Sequence, residues 1–174
     1  MRKHIHFFII IPFFLSCGND QFGNQTGLDE LGHDTTSDTY TVTPEDPSFN
    51  LAIAKARQTI DEFDQALESS NSSYTDFAVK KRFLTPDDGG EHMWVAGIIL
   101  VNGTYKGFVN NDAEKTLEVK YGDTVIVRKD EITDWMYLDN NVLRGGYTIR
   151  AVRNKLSKDE RIKMDNDLGF KVED

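Results

Sequence analysis

The chain has 174 residues and a formal charge of −9, from 20 Lys and Arg against 29 Asp and Glu. Its 39% hydrophobic and 28% charged residues are globular values, with room for one ordinary domain plus short extras. The acidic balance argues against a nucleic-acid partner, which wants many cations on one face, and the single Cys excludes an intrachain disulfide.

Residues 1–16 read as a lipoprotein signal peptide. Arg2 and Lys3 give a positive start, and Phe7 to Leu15 is an apolar run. The run is too short for a bilayer, which needs about 20 apolar residues, and it fits a secretory core. Phe14-Leu15-Ser16-Cys17-Gly18 resembles a bacterial lipobox, with cleavage before Cys17 and lipid on its thiol. Leu15 stands where a small residue is common. The reading predicts a partner membrane, anchorage through Cys17, and a domain outside the cytoplasm. Residues 17–46 follow as a tether rich in Gly, Asn, Asp and Thr, too polar to offset the entropy of ordering. His33 lies in it as a solvated residue.

A single α+β domain is expected over 47–174. Asp46-Pro47 is a helix start, with Asp as cap and Pro in the first turn. Ile53, Ala56, Ile60, Phe63 and Leu67 recur on one helix face, so one amphipathic helix is expected to about Glu68. Thr75 to Leu84 alternates as a half-buried strand, and Met93 to Val101 is apolar on both faces, as in a central strand. Asn102-Gly103 signals a hairpin into Thr104 to Val109. Gly122-Asp123 opens a strand over Thr124 to Val127, and another runs from Ile132 to Leu138. Gly145-Gly146 introduces a helix from Tyr147 to Leu156, and Ser157 with Glu160 is a capping box for a last one. The expected fold is a curved antiparallel sheet of about five strands, with the N-terminal helix packed on it and helices at the C-terminal end. An SH3-like half-barrel with added helices is the alternative.

The chemical inventory is small. Lipid would block Cys17, and His92 is the sole His of the domain, so neither a metal site nor a cofactor is predicted. His92 could work with Asp134 or Glu91 as an acid–base pair, or make a polar contact in a pocket walled by Trp94. Arg144-Gly145-Gly146-Tyr147-Thr148-Ile149-Arg150 could aim N–H groups and guanidiniums at a small anionic ligand, or be a tight turn with paired arginines. Trp135 and Tyr137 share a strand face, either in the core or on a binding surface. Lys80-Lys81-Arg82 reads as a solvated strand or edge protection.

Six pieces come in order: Phe77-Ala78-Val79-Lys80, Glu91-His92-Met93-Trp94-Val95, Gly107-Phe108-Val109-Asn110, Gly122-Asp123-Thr124-Val125, Ile132-Thr133-Asp134-Trp135-Met136-Tyr137 and Gly145-Gly146-Tyr147-Thr148-Ile149-Arg150. Together they resemble the YegJ-like bacterial family, domain of unknown function 2314, over about Leu51 to Leu156. The chain departs from the family where Asp112 replaces a Pro, which implies a looser loop there. The resemblance implies one domain and no assigned chemistry. It points a search for a site to the polar matches, among them Glu91, His92, Asn110, Asp134, Arg144, Tyr147, Thr148 and Arg150. Three functions stay open: a membrane-anchored binding domain, a small hydrolase using His92 with a carboxylate, and an immunity-type partner of a basic protein.

Overall fold

The computed structural model describes residues 46–173; Cys17, the signal sequence and His33 lie outside them. Two helices come first, α1 (Pro47–Gln58) and α2 (Ile60–Glu68). Six strands follow: β1 (Tyr74–Leu84), β2 (Gly90–Val101), β3 (Thr104–Val109), β4 (Thr124–Val127), β5 (Ile132–Asp139) and β6 (Val142–Gly145). The chain ends with α3 (Tyr147–Arg153) and α4 (Lys158–Leu168). Among the described residues no helix is long and apolar enough to cross a membrane.

Asp46 caps α1 as expected, accepting from Ser48 N at 2.9 Å. The single helix expected to Glu68 is broken. The Thr59 hydroxyl bonds back to the Lys55 carbonyl at 2.9 Å, and Thr59 leaves helical geometry. A Ser or Thr hydroxyl that satisfies an earlier carbonyl competes with the helix and bends it. The apolar face continues across the break, with Phe63 fully buried in α2.

The strands form one open antiparallel sheet in the order β4-β3-β2-β1-β5-β6. It has six strands rather than five, and it does not close into a half-barrel. The strand missed by sequence is β6, only four residues long, which pairs with Met136–Asp139. Its outer edge is met by the C-terminal tail, where Leu143 N donates to Lys171 O at 2.9 Å. Lys80-Lys81-Arg82 is not edge protection, because β1 lies inside the sheet between β2 and β5.

Alternation along each strand gives both faces of the sheet a core. Val79, Val95 and Trp135 sit on one face with Phe63 and Ala56 of the first two helices. Trp94 and Met136, one step along their strands, join Leu138, Leu143, Ile149 and Val172 on the other face. Towards β4 the sheet leaves Ile99, Phe108 and Ile126 exposed.

Because β6 is short, half of β5 has no strand beside it. α1 and α3 take that place. Arg57 Nε donates to Ile132 O at 2.9 Å, and Gly146 N donates to Trp135 O at 2.8 Å. This closure brings the ends of α1 and α3 against the centre of the sheet.

Candidate functional site

The centre of the sheet holds a row of unlike residues. Register sets Lys80 opposite Trp94 on one side and opposite Asp134 on the other. Opposed residues in an antiparallel pair share a face. Lys80 Nζ lies 4.5 Å from the Trp94 ring centroid, a cation–π contact.

Asp134 is fully buried. Its carboxylate accepts from Trp135 N at 2.9 Å, Tyr147 N at 3.1 Å, Thr148 N at 2.8 Å and the Thr148 hydroxyl at 2.6 Å. Lys80 Nζ in turn donates to Thr148 Oγ1 at 2.9 Å. Burial pushes the Asp134 carboxyl up and the Lys80 ammonium down, and each is opposed by the charge of the other. Every group that touches Asp134 is a donor, so the carboxylate is the form this site satisfies. The Gly-rich turn before α3 thus does aim N–H groups at an anion, and that anion is the chain's own Asp134.

The two glycines make that turn possible. Gly145 has φ +68° and Gly146 φ +61°. A Cβ on Gly145 would fall 2.3 Å from Trp135 O, so the backbone there passes too close for any side chain. The two arginines of the segment are also engaged. Arg150 donates to Gly145 O at 3.0 Å and Leu143 O at 2.9 Å, and also bonds Glu173 O. Arg144 pairs with Asp139 at 3.1 Å. Tyr147 OH donates to the Thr59 hydroxyl oxygen at 3.0 Å, because the Thr59 proton goes to Lys55 O, and Tyr147 lines a cleft of about 360 Å³ between α1 and α3.

His92 lies on the same face as Lys80, opposite Arg82. Its Nδ1 is 3.0 Å from Thr133 Oγ1, and its ring meets Phe49 of α1 edge-on at 5.6 Å. Thr133 sits at a register shift between Lys80 and Lys81, and its hydroxyl donates to Lys80 O at 3.2 Å. Thr133 Oγ1 thus lies within hydrogen-bond distance of both His92 Nδ1 and Lys80 O. Burial, with Lys80, Arg82 and Arg57 nearby, holds His92 down at about 4, so the ring is neutral at pH 7.

Neither acid expected to serve His92 does so. Asp134 is turned onto α3. Glu91 points to the opposite face, where it accepts from Glu114 N at 2.9 Å, Lys115 N at 3.0 Å and Thr116 N at 2.9 Å. Those three bonds staple the loop between β3 and β4, including the stretch after Asp112 expected to be looser. Among the described residues His92 has no hydrogen bond or ion pair to a carboxylate.

The remaining predicted positions divide plainly. Trp135 is a core residue, 1% exposed, and its Nε1 donates to Ala56 O at 3.0 Å. Tyr137 is half-buried and stacks on Phe77 at 5.2 Å. Asn110 is exposed and bonds Trp94 O through its backbone N–H, while the side chain that holds Trp94 N belongs to Asn111, at 2.7 Å. Lys80 and Arg82, expected only as a solvated strand or edge protection, converge with His92, as do Arg57, Phe49 and Thr133, which were not singled out as site residues. Only the strand order could have placed them together.

Comparison with known proteins agrees with this single folded unit. The family model described as "Uncharacterized protein conserved in bacteria (DUF2314)" matches residues 46–172. A protein of Neisseria meningitidis serogroup B named "Putative ankyrin repeat protein" is 33% identical over 138 residues, which are 75% of this chain and 54% of that protein. This chain therefore spans about half the length of that relative. "Uncharacterized protein YegJ" of Escherichia coli K12 is 32% identical over 109 residues, 63% of this chain and 69% of that protein. No solved structure matches the chain. With the family model covering nearly the whole described domain, the chain belongs to the bacterial DUF2314 family.

Proposed function

We propose that the chain is a bacterial lipoprotein, anchored to a membrane through lipid on Cys17, whose 47–174 domain is a binding module presented outside the cytoplasm on the 17–46 tether. One observation carries the choice of binding over catalysis. Both acids near His92, Asp134 and Glu91, spend their oxygens on backbone N–H groups. The expected acid–base pair needs its carboxylate within hydrogen-bond reach of His92, and His92 faces cations instead. The anchor is supported by the apolar run of Phe7 to Leu15 and by the sole Cys falling at the lipobox position.

The test has two readings. Cells fed labelled palmitate should lipidate the wild-type chain and not Cys17→Ser, and normal labelling of that variant refutes the anchor. Turnover of any small substrate that is lost in His92→Gln refutes the binding module.

A further inference from the structure

The His92 end of the sheet gathers cations in a chain that is acidic as a whole. β1 supplies Lys80 and Arg82, on the face of His92 and Trp94. α1 supplies Arg57, which holds Ile132 O, one residue before the Thr133 that holds His92. Arg82 lies across Gly90, where a Cβ would fall 2.0 Å from its Nε, and its Nη2 holds Gly89 O at 2.6 Å. Each arginine is exposed and uses one N–H on a backbone carbonyl, which fixes the head and leaves the rest of the fork open. Among the described residues neither of them, nor Lys80, forms an ion pair within 4 Å. From β5 the nearest acid is Asp134, already turned onto α3; beside Arg57 stands Asp130, which is itself paired with Arg128 at 3.0 Å.

We propose that Arg57, Arg82 and His92, backed by Lys80, form a binding site for a phosphate or phosphomonoester group. This rests on the reading of the domain as a binding module. A guanidinium fork matches phosphate oxygens in pairs. A carboxylate has two oxygens for these three groups, whereas a phosphate has at least three, one for each guanidinium and one for the imidazole. The bound anion also cancels the cationic field that keeps the ring neutral, so His92 takes up a proton more readily once the site is filled. Phosphate binding then strengthens as pH falls towards the His92 midpoint of about 4.

The experiment uses the full chain in detergent micelles, labelled with ¹⁵N-histidine, with the His92 signal assigned by its loss in His92→Gln. Its titration midpoint is read in sodium phosphate, in sodium acetate and in chloride at equal ionic strength. The midpoint should rise by about one pH unit in phosphate alone, a tenfold change in proton affinity. Arg57→Ala with Arg82→Ala should abolish the rise while the titration in chloride stays measurable, and Arg82→Ala alone should reduce it. Equal midpoints in phosphate and chloride overturn the site, as does a rise that survives the double substitution. An equal rise in acetate overturns the phosphate class. Vesicles containing phosphatidic acid, in place of inorganic phosphate, show whether a lipid headgroup is also a source. A flat titration leaves the binding-module reading intact, whereas nitrophenyl phosphate hydrolysis lost in His92→Gln overturns that reading and not the site.

Discussion

Asp134→Ala should be among the most damaging single changes in this domain. It removes the acceptor of three backbone N–H groups and one hydroxyl, all in the interior. Each buried donor left without a partner costs about 1–3 kcal/mol. The Lys80 ammonium, linked to Asp134 through the Thr148 hydroxyl, also loses its nearest compensating charge, which adds to that cost. These costs overlap, and the start of α3 can relax, so a net loss of about 4 kcal/mol is expected. That is a large share of the roughly 5–15 kcal/mol of a whole domain. Asp134→Asn should lose nearly as much, since its NH₂ group would face donors. Urea unfolding at neutral pH measures the loss as a lower midpoint at unchanged slope. Lys80→Met added to Asp134→Ala should recover about 1–2 kcal/mol, because the stranded ammonium is gone. A loss below about 1 kcal/mol, or strict additivity of the two changes, would refute the account of Asp134 as the anion that holds α3 to the sheet.

Two further perturbations follow from the same geometry. Gly145→Ala should cost about 3 kcal/mol, combining left-handed strain with a clash on Trp135, whereas Gly103→Ala should cost only about 1 kcal/mol. Gly103 has a similar φ of +76° but nothing within 4 Å of the added Cβ, so equal melting shifts in the two variants would count against the close approach at Trp135. The second concerns pH. His92 is held at about 4 in the fold against an ordinary 6.5, so the unfolded chain binds the extra proton between these values. Stability is therefore full above about 6.5, falls as pH drops towards 4, and loses on the order of 3 kcal/mol. His92→Gln should flatten that part of the stability profile in chloride, and an unchanged slope would show that other groups produce it.

Much of this domain was legible in the order of its residues. The Asp46 cap, the Asn102-Gly103 hairpin, the Ser157–Glu160 capping box and five of the six strands are local devices, set by neighbours within a few positions. Local signals failed where a distant partner decided the outcome. β6 has too few residues to show a period and exists because Met136–Asp139 and the C-terminal tail pair with it. Arg144-Gly145-Gly146 carried the mark of an anion site, yet only the fold could supply the anion from β5. His92 with Glu91 or Asp134 was a fair pairing by residue type. Alternation sent Glu91 to the opposite face, and the short β6 let α3 take Asp134. The cations around His92 come from β1 and from α1, some 35 residues earlier in the chain. Sequence therefore determined the elements and their faces, while the sheet order decided which charges meet, because cross-strand neighbours are set by pairing and not by distance along the chain.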